Sequence, residues 1–260
     1  MLRRTTLFDL DFINDSNFDA TIASMLNFQQ EFSATPGKLP LLFTPNVDDV
    51  VKLNEPKYAS LATILKKSFY ILPDGQPIIW ASKLLGNKLQ KRLPGSELFP
   101  LLWKAVIKQN KRIMVIAPTK EVGELLRKES PSMEYFVPPF FDVENKDALH
   151  NVLAGAIEIF DKIQPEYVFI GIRFPKQNHI ALGLIDHVHA TGNKNMPLFL
   201  LMGASYEFYL HLKKRAPLFW QRIGMEWFYR FLQEPGRLFK RYFIDDLKFI
   251  PIFFRELAKH

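Results

Sequence analysis

Polar and turn-forming residues follow four apolar runs of this sequence, at residues 44–46, 73–75, 173–177 and 203–205. They include hydroxyl and amide side chains, which hydrogen-bond ligands, and one carboxylate, Asp74, directly before a glycine. If the four runs are neighbouring strands, these side chains converge on one crevice and form a polar ligand site there. The alternative is that Thr, Asn, Asp and Gly cap the next helix or form a turn.

The elements that must position these residues alternate along the chain. Continuous apolar runs predict strands covered on both faces, at 41–44, 69–72, 112–117, 133–137, 167–172 and 198–202. Amphipathic patterns between them predict helices at 47–66, 76–86, 95–110, 120–129, 145–163 and 176–189. This alternation indicates an α/β fold with a mostly parallel sheet flanked by helices. Ligands of such sheets bind beyond the carboxyl ends of the strands.

Several classes of site are excluded by what the sequence lacks. It has no cysteine among 260 residues, which excludes disulfides, cysteine zinc sites and thiol nucleophiles. Glycine-rich nucleotide motifs of the G-x-G-x-x-G or P-loop type are absent, as is the G-x-S-x-G nucleophile motif. The only close histidine pair, His187 and His189, has a spacing that places the two on different faces of a helix. No cofactor and no metal ion are therefore expected.

The net charge of +7 is concentrated near the end of the chain. Residues 213–260 contain 11 basic and 5 acidic residues and 12 of the 36 aromatic residues, whereas residues 1–212 are almost neutral. We therefore divide the chain into a body, 1–212, and a basic, aromatic, helical appendage, 213–260. Such a segment suits an anionic membrane surface. The nearly neutral body and the absence of a recognisable nucleic-acid-binding module argue against nucleic acid as the partner. No run is long and apolar enough for a transmembrane helix or a signal peptide, so we expect a cytoplasmic, peripheral protein.

Four pieces of the sequence, in order, carry a resemblance to a known family. They are FTPNVDDVV, LPDGQPIIWASKLLGNKLQKRLPGSELF, GIRFPKQN and KRAPLFWQRIGMEWFYRFLQEPGRLFKRY, spread over about residues 38–243. The sequence resembles the WecG/TagA/CpsF glycosyltransferases, also called glycosyltransferase family 26. The resemblance implies a Rossmann-like α/β body with a C-terminal helical appendage that docks on a membrane.

The resemblance also implies an activity and its substrates. Members of this family transfer a sugar, such as N-acetylmannosamine or its uronic acid, from a UDP-sugar to a polyprenyl-diphosphate-linked saccharide. The transfer inverts the anomeric configuration and takes place at the inner face of the bacterial cell membrane, in surface polysaccharide synthesis. A homo-oligomer is left open. The alternative is a non-catalytic relative that binds lipid-linked sugars or acts as a scaffold.

Five residues of the body match the family's motifs and acquire expected roles from the resemblance. Asp74 is expected to be the general base, with an Asp-Gly turn as the alternative. Arg92 is expected to contact phosphate or sugar, and otherwise to be a solvated arginine. Thr44 and Asn46 are assigned to substrate hydrogen bonds or else to helix capping. Gln177 is assigned to the sugar or nucleotide, or else to an exposed first helical turn.

The appendage contributes two further sets of expected site residues. Arg215, Arg230 and Arg237 are expected to close over the UDP diphosphate, with phospholipid headgroups as the alternative partner. A set of aromatic residues is expected to dock on the membrane, with packing against the body as the alternative; its members are Phe239, Phe243, Phe249, Phe253 and Phe254.

Three positions depart from the family's motifs around the expected sugar pocket. Pro77 replaces the second glycine of the aspartate-glycine motif, Asn178 replaces a glutamate, and Glu207 replaces an aspartate. The donor sugar and the acceptor saccharide are therefore open. We favour an active enzyme with altered specificity over an inactive one, because Asp74 and the arginines are retained.

Overall fold

The computed structural model of the protein describes residues 2–193, 195–214, 216–217, 219–220 and 224–259, and only the backbone of Arg237. All six predicted strands are confirmed and form one sheet in the order β4-β3-β8-β7-β5-β6, with every neighbouring pair parallel. A separate two-stranded hairpin precedes them. The strands are β1 (Arg4–Leu7), β2 (Leu10–Ile13), β3 (Leu39–Phe43), β4 (Ser68–Ile71), β5 (Ile113–Ile116), β6 (Glu134–Phe136), β7 (Tyr167–Ile170) and β8 (Leu198–Leu201).

Helices cover both faces of the parallel sheet, which confirms the Rossmann-like α/β architecture. They are α1 (Asp19–Leu26), α2 (Phe28–Ser33), α3 (Val47–Leu53), α4 (Ala59–Leu65), α5 (Gln76–Leu84), α6 (Gly95–Lys108), α7 (Lys120–Glu129), α8 (Lys146–Ile163), α9 (Lys176–Ala190), α10 (Ser205–Tyr209), α11 (Glu226–Gln233), α12 (Pro235–Lys240) and α13 (Phe249–Leu257).

The central strands are apolar throughout because both of their faces are covered. Every residue of β4, β5, β7 and β8 is buried. Along β7, Val168 and Ile170 join one hydrophobic cluster, whereas Tyr167 and Phe169 join a second cluster. Successive side chains of a strand point to opposite faces, so the two clusters are the layers on either side of the sheet.

Two predictions about local structure need correction. The single helix expected over 47–66 is three pieces: α3, a 3-10 turn at Pro56–Tyr58, and α4. Pro56 has no N–H to donate and disfavours helical backbone at the residue before it, so α3 ends ahead of it. The hairpin β1–β2 was not predicted. Its turn residues, Phe8 and Asp9, both have positive φ of 54° and 57°, a conformation that Gly or Asn usually signals.

The last part of the chain is helical and packs against the body. After α12, residues Arg241–Asp245 form a π-helical segment and Asp246–Lys248 a 3-10 turn that leads into α13. Leu238 and Ile252 of this part are buried. The backbone N–H of Phe8, in the hairpin turn, donates a hydrogen bond to buried Glu256 of α13, at 3.0 Å. Within the described part of the chain, no helix has both the length and the apolar character required to span a bilayer.

Candidate active site

Asp74 lies just beyond the carboxyl end of β4, beside the end of the neighbouring strand β3. Its backbone N–H donates to the carbonyl oxygen of Pro45 at 3.1 Å, which ties the two strand ends together. Gly75 has φ of 144°, in a range that residues with a side chain rarely adopt, and it redirects the chain into α5. The half-buried carboxylate of Asp74 therefore sits at the crevice edge where α/β sheets bind ligands.

Thr44 follows β3 and meets two other elements at this edge. A Cβ placed on Gly95, the first residue of α6, would lie 3.2 Å from the Thr44 hydroxyl oxygen and 3.3 Å from that of Ser205. Ser205 begins α10, shortly after β8. A glycine at position 95 thus allows α6 to begin directly against Thr44 and Ser205, which follow β3 and β8, so that both hydroxyl groups border this glycine.

Arg92 occupies the same edge, in the loop before α6, and is surrounded by carboxylates. Its Nη1 lies 3.1 Å from Glu226 Oε2, and its Nη2 lies 3.6 Å from Glu97 Oε1. Burial disfavours the charged guanidinium, but the negative charges of Asp74, Glu226 and Glu97 outweigh it and raise the pKa of Arg92 above its usual value. The expected base and the expected phosphate ligand are therefore electrostatically coupled.

Arg230, on α11, is brought to the same group of side chains by Glu226. Its Nη2 lies 2.8 Å from Glu226 Oε1, and its guanidinium lies over the ring of Phe208, 4.8 Å from the ring centre. Glu226 is only 7% exposed. One buried carboxylate thus joins an arginine of the body to an arginine of the C-terminal part.

Asn46 caps α3, as the alternative interpretation proposed. Its side chain accepts from the Asp49 N–H, and the Asp49 carboxylate accepts from the Asn46 N–H, which together form a capping box. The Asn46 side-chain oxygen also accepts a hydrogen bond from Arg241 Nη2 at 3.4 Å, and the same Nη2 lies 3.5 Å from Asp48 Oδ2. Asn46 therefore has a structural function at the point where the C-terminal part meets the crevice.

Two carboxyl groups near Arg241 have strongly shifted acidity. Burial raises the pKa of Asp49 to about 6. It also raises the pKa of Asp246 to about 6, and the negative charges of Asp48 and Asp245 add to this, although Arg241 opposes it. The folded protein therefore holds these protons more tightly than the unfolded chain does, and their release near pH 6 lowers its stability.

Gln177 is buried at the start of α9, so the alternative of an exposed first-turn residue is wrong. It is 8% exposed, and its side-chain oxygen finds no hydrogen-bond partner among the described residues. The next residue, Asn178, is fully buried. Neither its side-chain oxygen nor its side-chain nitrogen finds a hydrogen-bond partner among the described residues. A neutral amide at this buried position avoids the desolvation cost of the carboxylate that the family's glutamate would place there.

A cleft of about 330 Å³ opens at the carboxyl ends of β5, β6, β7 and β8. It is lined in part by Phe140, Arg173, Lys176 and Glu207. Phe140 is 96% exposed, and the Lys176 ammonium lies 4.2 Å from the centre of its ring. The size falls within the range typical of small-molecule sites, and an aromatic face beside cationic groups and a carboxylate suits an anionic ligand with a planar ring and hydroxyl groups.

The remaining expected residues are placed as follows. Arg215 lies outside the described residues, as does the side chain of Arg237, whose backbone belongs to α12. Phe239, Phe243 and Phe254 are exposed, whereas the partly buried rings of Phe249 and Phe253 pack against the core.

Pro77 occupies the first turn of α5, where proline fits the helix without loss of a hydrogen bond. Within the ranges that the structure describes, no three His, Asp or Glu side chains cluster as metal ligands.

Sequence reasoning did not assign a role to Glu226 or Arg241. Both lie in the last quoted motif piece, Glu226 in its glutamate-tryptophan pair. Their partners in the body are Arg92, 134 residues away, and Asn46, 195 residues away. The motif piece was the available signal, but it contained no indication of these partners.

An open parallel sheet flanked by helices, with a carboxylate and arginines at its crevice edge, places the protein in the Rossmann-like α/β class. The chain belongs to the WecG/TagA/CpsF family of glycosyl transferases, whose model matches residues 11–260. It is therefore a glycosyltransferase.

Similar proteins from Staphylococcus aureus agree with this assignment. The relative from strain MRSA252 is 30% identical over 201 residues, which cover 75% of this chain and 71% of the relative. The relatives from strains MW2 and NCTC 8325 / PS 47 are each 28% identical over the same length and with the same coverage. All three are named N-acetylglucosaminyldiphosphoundecaprenol N-acetyl-beta-D-mannosaminyltransferase.

Proposed function

We propose that this glycosyltransferase transfers a sugar from a UDP-sugar to a polyprenyl-diphosphate-linked saccharide in bacterial surface polysaccharide synthesis. The observation that carries the proposal is the placement of Asp74 at the crevice edge, within the electrostatic influence of Arg92. The name of the similar staphylococcal proteins specifies an N-acetylmannosaminyl group and an acceptor in which N-acetylglucosamine is joined through a diphosphate to undecaprenol. N-acetylmannosamine or a related hexose is therefore our proposed donor sugar.

The reaction is a single displacement at the anomeric carbon. Asp74 removes the proton of an acceptor hydroxyl while that oxygen attacks C1 of the donor sugar. The bond between C1 and the diphosphate oxygen breaks at the same time, and UDP leaves with the bonding electrons. Attack on the face opposite to the leaving group inverts the anomeric configuration. The Thr44 hydroxyl, which lies near Ser205 at the same edge, contributes a hydrogen bond to a substrate.

The departing diphosphate requires positive charge in a site that excludes water. Arg92 and Arg230 supply it from the two sides of Glu226, and the motif residues Arg215 and Arg237 are proposed to join them. Guanidinium groups suit this task because their planar fork matches phosphate oxygens and keeps its charge at any physiological pH.

The cleft beside β5–β8 is the proposed site of the nucleotide. The exposed ring of Phe140 offers a stacking face for uracil, and Lys176 and Arg173 offer positive charge toward the phosphates. Glu207 offers a carboxylate to the ribose hydroxyls. Glu207 forms a salt bridge of 2.6 Å with Lys213, which restricts the position of its carboxylate.

The C-terminal part, residues 213–260, is proposed to complete the site and to hold the enzyme on the inner face of the cell membrane. Its exposed apolar side chains include Phe239, Phe243, Leu247, Ile250 and Phe254. The exposed basic residues Lys240, Lys248, Arg255 and Lys259 accompany them. An apolar surface beside basic side chains binds anionic leaflets through burial and charge together, and the acceptor lipid resides in such a leaflet.

The substitution Asp74→Asn tests the catalytic proposal. We expect it to lower kcat by about 10²- to 10⁴-fold, because that is the usual contribution of a general base, while the binding of UDP is retained. The measurement is UDP release with UDP-N-acetylmannosamine and a synthetic polyprenyl-diphosphate N-acetylglucosamine. Asp186→Asn, at an exposed position of α9, is the matched control and should keep full activity. Equal kcat for the wild type and Asp74→Asn would exclude Asp74 as the base.

A further inference from the structure

Glu226 is a buried carboxylate held between two arginines that come from distant parts of the chain. Its two oxygens are divided between them: Oε2 lies 3.1 Å from Arg92 Nη1, and Oε1 lies 2.8 Å from Arg230 Nη2. With 7% of its surface exposed, the carboxylate is desolvated, so it depends on these charged partners for its stability. Its place as the first residue of α11 adds a favourable interaction with the helix dipole.

The two arginines are adjacent to different parts of the proposed site. Arg92 experiences the charge of Asp74, the proposed base. Arg230 stacks on Phe208 of α10, and the residue before Phe208, Glu207, lines the cleft proposed for the nucleotide. Glu226 therefore joins an arginine near the proposed base to an arginine near a residue that lines the proposed nucleotide cleft.

A carboxylate that pairs with two guanidinium groups limits the distance between them. Each hydrogen bond between a guanidinium and a carboxylate is short and directional. Because Oε2 of Glu226 pairs with Arg92 and Oε1 pairs with Arg230, the two guanidinium groups are held beside one carboxylate. The same negative charge reduces the repulsion between the two cations before a substrate is bound.

We propose that Glu226 is a positioning residue that assembles Arg92 and Arg230 into one binding unit for the donor diphosphate. The inference rests on the proposed function, in which these arginines bind that diphosphate. Glu226 itself touches no substrate. It acts through the two guanidinium groups and, because it lies on α11, makes the affinity for UDP depend on the docking of the C-terminal part.

The test compares Glu226→Gln, Glu226→Asp and the wild type. Glutamine preserves the volume but loses the charge and one of the two acceptor oxygens. Aspartate preserves the charge but is shorter by one methylene, so it cannot reach both arginines at once. We expect the Kd for UDP and the KM for the UDP-sugar to rise by about 10- to 100-fold in Glu226→Gln, the value of one or two charge-assisted hydrogen bonds. Glu158→Gln, at an exposed position of α8, is the matched control.

Two further measurements separate positioning from a merely structural role. Melting temperatures should show that Glu226→Asp is folded and close to the wild type while its UDP affinity remains reduced. If Glu226→Gln does not fold, Glu226→Asp alone carries the comparison. In the Arg230→Gln background, Glu226→Gln should cost clearly less affinity than it does in the wild type, because one of the two arginines that it holds is already absent.

The outcomes distinguish this inference from the proposed function. An active wild type whose Glu226→Gln and Glu226→Asp variants bind UDP with unchanged Kd overturns the positioning role alone. Additive effects of Glu226→Gln and Arg230→Gln also overturn it. A wild type that neither binds UDP nor transfers sugar from it overturns the proposed function and this inference with it.

Discussion

Replacement of Phe239, Phe243 and Phe254 by serine should strongly weaken binding to anionic membranes. These three side chains are 54%, 41% and 59% exposed, which together is equivalent to about one and a half fully exposed phenylalanines. Full burial of one such side chain contributes about 1.5–3 kcal/mol. Loss of all three contacts should therefore cost about 2–4.5 kcal/mol, which corresponds to a factor of about 30 to 2,000 in the partition constant.

The assay is sedimentation with vesicles that contain phosphatidylcholine and about one third phosphatidylglycerol. The control is Leu84→Ser combined with Leu101→Ser, which removes side chains of α5 and α6 that are 73% and 49% exposed without touching the C-terminal part. This control should bind vesicles like the wild type. The contribution of the apolar side chains to vesicle binding should persist in high salt, whereas the contribution of the basic residues to vesicle binding should fall.

One result would refute the reasoning about the membrane surface. If the triple serine variant partitions like the wild type at both low and high salt, the exposed phenylalanines do not enter the membrane. If the control variant weakens vesicle binding as much as the triple serine variant does, exposed apolar side chains contribute to binding wherever they lie on the protein.

Two substitutions test the packing and the ionisation that the structure assigns around the site. Gly171→Ala should destabilise the protein by about 1–3 kcal/mol, because its Cβ would lie 2.0 Å from the ring of buried Tyr206. The control Gly236→Ala has no atom within 4 Å of its Cβ and should be neutral or stabilising. Urea unfolding that gives the two variants the same stability would contradict this packing. The pKa of Asp246 is raised to about 6, so the folded protein binds the proton more tightly than the unfolded chain and loses stability as pH rises from about 4 to about 6. Asp246→Asn should therefore melt at a higher temperature than the wild type at pH 7.5, and this difference in melting temperature should shrink toward pH 5. A difference in melting temperature that stays constant with pH would show that Asp246 does not titrate in this range.

The C-terminal part contacts side chains of the proposed active site directly. Glu226 reaches Arg92, and Arg241 reaches Asn46 and Asp48, so this part contacts the crevice at two separate points. Any force that moves the C-terminal part, including attachment to a bilayer, acts directly on side chains of the proposed active site. If this part attaches to a membrane as proposed, we expect activity and attachment to be coupled.

The body of the fold could be predicted from the sequence because its signals are local. The apolar runs of β4, β5, β7 and β8 are continuous, which identifies strands buried on both faces. The polar residues after the strands then had to meet at one edge, since parallel strands share the direction of their carboxyl ends. The aspartate-glycine pair at Asp74 and Gly75 pointed to the crevice for the same reason. The hairpin escaped prediction because its turn lacks the usual glycine.

The long-range pairing of charges was decided by the tertiary structure alone. The sequence displays an excess of basic residues near its end and places Glu226 four residues before Arg230, but it does not show that Glu226 is buried against Arg92. Nor does it indicate that Gln177 is buried, or that Phe239 faces solvent while Phe249 packs against Phe8, with 5.1 Å between the ring centres. The reason is physical: periodicity reports which face of an element is apolar, whereas the partner of a charge or an aromatic ring depends on segments more than a hundred residues apart. The residue types suited to this chemistry could therefore be identified in the sequence, and their long-range pairing became defined only once the C-terminal part packed against the body.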